Sequence, residues 1–294
     1  MKKILIVLLS VLTSVCLFLT PAAAFSASGS TIYKGVDVSA WNGTIDYAKV
    51  KNSGIEVVYI RAGEGNENKD TYFENNYSGA KSNGLKIGFY YYVTATTVAE
   101  AEAQATYFVS LLSGKSFDCK PAMDFEEFGD LNNEEINQIA LAFIGKVVQA
   151  SGKEAVVYSD LSNARDVFDA RLAAYPLWIA EYGVSQPGNP VHWGEWVGFQ
   201  HSDTGSVPGV SGNVDLDQFT DGIFLTEQPT VTSQPETTSV PVRSEPAGSA
   251  SVPAGTINPK TGDGAGLIGI AIAGAAVSLM VIGMIWDKKE RVVS

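Results

Sequence analysis

The chain has 294 residues, a formal net charge of −12 and two cysteines. Acidity of this size argues against nucleic acid, or any other polyanion, as a partner. Cys16 falls in the N-terminal apolar run, which leaves Cys119 as the one cysteine of a processed chain. An intramolecular disulfide is therefore excluded, and the fold must be held by its core.

Residues 1–24 read as a secretory signal peptide. They carry two lysines, a long apolar run and a small-residue site after Pro21. The triplet Ala22-Ala23-Ala24 places cleavage after Ala24, with Ala27 as the alternative and an uncleaved membrane anchor as the rival reading.

Residues 31–225 repeat one pattern, in which an amphipathic stretch ends in Ser-Gly or Asn-Gly and a β-rich run follows. Strands are predicted in "KGVDVS", "IEVVYIRAGEG", "LKIGFYYYV", "KSFDCKPAMDFE", "KEAVVYSD", "PLWIAEY", "WVGFQHSD" and "VDLDQF". Gly54, Gly84, Gly114 and Gly152 stand where helices end in a left-handed residue. Runs such as "VVYI" and "AVVY" suit strands buried on both faces. Alternation with helices implies parallel strands joined by right-handed crossovers. About eight strands against about five helices predicts an α/β fold, a shortened and irregular TIM-like barrel.

The acids fall at strand ends. Asp37 ends the first strand, Glu64 follows the second, and Asp124 and Glu126 end the fourth. Glu181 ends the sixth, Asp203 follows the seventh, and Asp215 lies in the last. Barrel enzymes build their sites at such ends, so these acids predict one shared mouth. Asp124 and Glu126 are two apart and share a face, while Glu127 points away. Two carboxyls held close cannot both ionise easily, so one stays protonated. A protonated carboxyl beside an ionised one is the equipment for cleaving a glycosidic bond.

Other chemistries find less support. Acid clusters bind hard cations, but His192 and His201 lack zinc spacing, so no metal and no cofactor are expected. There is no G-x-S-x-G sequence, and Cys119 has no evident partner. A sugar-binding module without turnover stays open. Trp41, Tyr90, Tyr91, Tyr92, Trp178, Tyr182, Trp193 and Trp196 lie near the strand ends and offer flat faces to sugar rings. Roughly half of them read as core.

Residues 226–257 are rich in Pro, Ser and Thr and carry no aromatic, the composition of an extended spacer. Residues 258–294 combine a polar pentapeptide "NPKTG" (258–262), an apolar stretch (267–286) long enough for a bilayer, and a basic tail (287–294). A simple tail anchor is the plainer reading.

Five ordered motifs, "GVDVSAWNGTIDYAKVKNSGIEVVYIRAGEG", "GFYYY", "PAMDFE", "LWIAEYG" and "GNVDLDQF", resemble glycoside hydrolase family 25, the bacterial and phage lysozymes. The resemblance covers residues 33–225. It implies a shortened β/α barrel with an acidic groove that cleaves the β-1,4 bond from N-acetylmuramic acid to N-acetylglucosamine in peptidoglycan. It maps Glu126 to the general acid and Asp124, Asp37 and Asp215 to the other catalytic acids, with Asp217 the competitor for the last place. It maps Glu64 of "RAGEG" to the groove, where Gly63 replaces a common Thr. Tyr90, Tyr92, Trp178 and Tyr182 are the aromatic candidates for substrate contact.

The pentapeptide resembles the LPxTG sorting signal of Gram-positive surface proteins, with Asn258 in place of Leu. That resemblance implies sortase cleavage between Thr261 and Gly262 and covalent attachment to the cell wall, with membrane contact only before sorting. The expected partners are peptidoglycan glycan strands and a sortase, and the expected state is a monomer. Two alternatives stand beside this reading. A family 18 chitinase-like barrel would carry D-x-x-D-x-D-x-E, of which "CKPAMDFE" holds only the last two acids. A surface adhesin would keep the groove and lack turnover.

Overall fold

The structure is a computed structural model that describes residues 25–226. Its strands are β1 (Tyr33–Val38), β2 (Val57–Glu64), β3 (Lys86–Tyr92), β4 (Ala122–Asp124), β5 (Val156–Asp160), β6 (Leu177–Ala180), β7 (Gly198–Gly205) and β8 (Val214–Phe219). Five α-helices link the first six strands: α1 (Tyr47–Asn52), α2 (Phe73–Ser82), α3 (Val98–Leu112), α4 (Asn133–Ser151) and α5 (Leu161–Asp166). Pairing runs in order from β1 through β8 and closes between β8 and β1, giving an eight-stranded barrel.

The helix ends follow from local chemistry. Asn132 accepts from the backbone of Glu134 and Glu135, and the Glu135 side chain answers with a bond to the Asn132 N–H, a reciprocal cap for α4. At the four predicted helix-ending glycines φ is positive, 94° at Gly54, 65° at Gly84, 75° at Gly114 and 65° at Gly152.

The strands bury both faces, as their unbroken apolar runs require. Outward residues Val58, Ile60, Phe89, Tyr91, Met123 and Ile179 pack beneath the helices with Phe108 and Phe143. Inward residues Val57, Tyr59, Ala122, Val156, Trp178 and Phe219 fill the barrel itself. Trp178 lies 4.6 Å from Tyr59 and 5.3 Å from Phe219, ring centre to ring centre. Two glycines make room for this plug. A Cβ at Gly88 would come within 2.5 Å of the Tyr59 ring, and one at Gly198 within 2.6 Å of Trp178. Burying each such aromatic contributes on the order of 2–3 kcal/mol.

The expectation of parallel strands holds for β1–β7 and fails for β8, which runs antiparallel to both β7 and β1. The cause is the connection. Residues 206–213 hold no helix, and Gly209 and Gly212 adopt φ of 102° and 80°. A link that short returns the chain beside itself, whereas a parallel neighbour needs a crossover. Two small pairings decorate the barrel. Asn68–Lys69 extends the end of β2, and Ser26–Ala27 runs parallel to Glu195–Trp196.

No helix among the described residues is long and apolar enough to cross a membrane. The signal peptide (1–24), the spacer beyond Thr226, the apolar span (267–286) and the sorting signal with Thr261 and Gly262 lie outside the described residues.

Candidate active site

A cavity of about 230 Å³ opens at the C-terminal ends of the parallel strands. β1 brings Asp37, β3 Tyr90 and β4 Asp124, while β5, β6 and β7 bring Tyr158, Trp178 and Gln200. Because β8 is reversed, its beginning rather than its end supplies Asp215 to the same mouth. Glu126 and Tyr182 arrive from the residues after β4 and β6.

The strand β4 stops at Asp124, so the two acids are not both on a strand as predicted. Side-chain alternation nevertheless continues for two residues. Phe125 is fully buried and meets Phe128 edge-on at 5.0 Å. Pinned there, it turns Asp124 and Glu126 to the cavity and leaves Glu127 exposed.

Gln200 ties the floor together. Its Nε2 donates to Asp37 Oδ2 at 2.7 Å, and its Oε1 accepts from the hydroxyls of Tyr158 at 2.9 Å and Tyr182 at 2.7 Å. Neither Gln200 nor Tyr158 is among the residues that the sequence singles out. Their inward parity on "GFQ" and "VVY" was the available signal.

Of the predicted contact residues, Tyr90, Trp178 and Tyr182 line the cavity. Trp178 is buried and serves as its floor, with Nε1 donating to Asp217 Oδ1 at 3.0 Å. Tyr92 and Glu64 do not line it. Glu64 instead accepts from Arg61 Nη1 at 3.0 Å, and Arg61 Nε is held by Asp70 at 2.8 Å. Tyr91, Trp193 and Trp196 are core. Trp41 is 88% exposed. It rides a short 3-10 turn, Ala40–Asn42, fixed by Ala40 N–H on Asp70 and by Asn42 on the Asn213 carbonyl.

The electrostatics follow from crowding acids in a dry cleft. Burial and then the neighbouring charge of Asp160 push the Glu126 carboxyl up to about 7. Burial, then the nearness of Glu126, raises Asp124 well above the usual range, and Arg61 pulls the other way. Burial and Asp203 lift Asp215 to about 6. Asp37 is raised by burial and by Asp215. A carboxyl near 7 can deliver a proton at neutral pH. An adjoining cavity of about 340 Å³ shares Glu126, Tyr158 and Tyr182 with the first and extends to Asp160, Ser162 and Arg165. Glu126 thus stands in the wall between two linked spaces.

The sequence profile of glycosyl hydrolases family 25 matches residues 36–210. An autolytic lysozyme of Clostridium acetobutylicum is 40% identical over 192 residues, 65% of this chain and 57% of its own length. The chain thus spans little more than half of that relative. Lysozyme M1 of Streptomyces globisporus is 32% identical over 199 residues, 63% of this chain and 67% of its own. The crystal structure of the bacterial lysozyme from Streptomyces coelicolor superposes with a TM-score of 0.60 at 31% identity, covering 65% of this chain and 94% of that one. The strand-end acids, the closed eight-stranded barrel and these matches agree, and the chain belongs to glycosyl hydrolase family 25.

Proposed function

We propose that the barrel is a peptidoglycan hydrolase that cleaves the β-1,4 bond from N-acetylmuramic acid to N-acetylglucosamine. The observation that carries this reading is that Glu126 and the buried Asp124 face one cavity at the barrel mouth, where the Glu126 carboxyl is raised to about 7. Glu126 protonates the leaving oxygen. Asp124, facing the same cavity, stabilises the positive charge that develops at the sugar, directly or by orienting its N-acetyl group. Asp37 and Asp215 complete the acidic wall. The muramic ring occupies the cavity lined by Tyr90 and Trp178, and the departing sugar leaves into the space beside Asp160 and Ser162. Trp41, exposed on its fixed turn, gives the glycan a further stacking face.

Glu126→Gln is expected to lower kcat by about 10³-fold while the protein stays folded, since the amide keeps the shape and cannot give up a proton. Borohydride reduction of the products, followed by mass spectrometry, identifies the bond. Reduced muramic acid ends from the wild type support the reading. Reduced glucosamine ends reject its bond specificity, and binding with no new ends favours the adhesin.

The chain is also read as exported and wall-anchored, on the strength of residues 1–24 and the "NPKTG" tail. Of the two cleavage sites we favour the one after Ala24. Ser26–Ala27 pairs with Glu195–Trp196, and Ser28 N–H bonds the Trp196 carbonyl at 2.9 Å. Cleavage after Ala27 would remove that strand.

A further inference from the structure

Along β8, Asp215, Asp217 and Phe219 alternate onto the inner side of the barrel. Opposite them on β1 stand Asp37, Gly35 and Tyr33 in register. Gly35 brings no side chain, so the Asp217 carboxyl can reach Asp37. A Cβ at Gly35 would lie 3.2 Å from that of Asp217 and would strike the Phe219 ring at 2.3 Å. Three carboxyls therefore form a row. Asp217 is 2% exposed, Asp37 is 7% exposed and Asp215 is half-buried.

The innermost member has an unusual set of partners. Asp217 Oδ1 accepts from Trp178 Nε1 at 3.0 Å. Its Oδ2 is buried and meets no N–H or O–H donor. The acid it faces across the ladder is Asp37, which in turn stands in register with Asp215. Two ionised carboxyls cannot face each other in a dry interior, so a proton must lie between them. Asp37 already accepts from Gln200 through Oδ2 and stands nearer the cavity. The charged groups acting on Asp217 are Asp37 on β1 and Asp215 on β8, both acidic, and the phenol of Tyr59 on β2 lies close by. Against burial and both acids, only the Trp178 N–H favours its ionised form. The Trp178 N–H marks Oδ1 as the carbonyl oxygen and Oδ2 as the hydroxyl.

We propose that Asp217 is a positioning residue held as the neutral acid, whose Oδ2 hydroxyl donates to Asp37 and fixes that carboxylate in the cavity floor. The sequence offered Asp215 and Asp217 as rivals for one place. The structure assigns them different work, Asp215 at the mouth and Asp217 beneath Asp37. The positioning role rests on the hydrolase reading; the protonation does not.

Two variants separate the possibilities. In Asp217→Asn the amide Nδ2 replaces the hydroxyl as donor, and Oδ1 still accepts from Trp178. Asp217→Leu fills similar space with no donor. We expect folded D217N within about threefold of wild-type kcat/KM, with an unchanged pH profile. We expect D217L to lose about 30-fold in kcat at similar KM, the worth of a hydrogen bond to a charged group. Its acid limb should move to higher pH, because Asp37, which faces Asp215 on β8, Asp124 on β4 and Tyr90 on β3, keeps only Gln200 as a donor that favours its ionised form. An infrared difference spectrum at neutral pH, wild type minus D217N, should contain a carboxylic-acid C=O band. A 30-fold loss in folded D217N, full activity in D217L, or absence of that band would overturn the proposal. Should D217L fail to fold, D217N and the spectrum decide alone. If no form hydrolyses peptidoglycan, the hydrolase reading falls, and the spectrum still decides the protonation.

Discussion

Glu126 has its carboxyl raised to about 7 from an ordinary 4.5, chiefly by burial and then by Asp160. The same shift has a stability consequence. Below pH 4.5 the group is protonated in both folded and unfolded chains. Between 4.5 and 7 the folded state keeps the proton that the unfolded state has lost. Above 7 the folded protein must hold a carboxylate in a site that disfavours it. Stability should therefore fall as pH rises from 4.5 to 7 and level off above, and Glu126→Gln should remove the share that Glu126 contributes, leaving that of Asp124, Asp37 and Asp215. The gain at pH 8 is about 2–3 kcal/mol, read from denaturant melts at pH 5 and pH 8. An unchanged melt at pH 8 would contradict the shift. The acids at strand ends were legible from "DVS", "DFE" and "VDLD" because charge after an apolar run is conspicuous. Gln200 and Tyr158 were not. A neutral amide in a strand carries no such mark, and only the closed barrel reveals that side chains from β1, from β5 and from the residues after β6 converge on it.

At the scale of elements, the strands and helix ends were readable because each rests on a local cause. Continuous apolar runs specify doubly buried strands, and glycine specifies the left-handed helix end. The reversal of β8 was not readable from periodicity, since a parallel and an antiparallel strand can share one pattern. It depends on residues 206–213 being too short for a crossover. Glu64 shows a similar limit. Its place at a strand end pointed to the groove, but Arg61 draws it away, a contact set by the turn through Asn68–Lys69. The inward plug gives the element-scale prediction. Gly198→Ala sets a Cβ 2.6 Å from the Trp178 ring and 3.0 Å from Phe219. It should destabilise the barrel by about 1–3 kcal/mol and weaken catalysis, because Trp178 is also the cavity floor. A melt within experimental error of wild type would show that the plug can yield.

At the scale of the whole molecule, the reading joins an acidic barrel to an export signal at one end and a wall-sorting signal at the other. The sequence carries the two ends; the described residues carry the barrel. If the tail works as read, mass spectrometry of protein released from cell walls by a muralytic enzyme should find Thr261 joined to a peptidoglycan peptide. An intact C-terminus on the surface protein would reject the wall linkage and leave a tail anchor. The anchored barrel would then act only on strands within reach of its spacer.

The most direct measurement is product analysis on peptidoglycan with the wild-type protein and Glu126→Gln, after borohydride reduction. Wild type should generate reduced muramic acid ends, and the folded variant should generate almost none. Turnover by folded Glu126→Gln at the wild-type rate would contradict the account at its centre, since the raised carboxyl would then not be the proton donor.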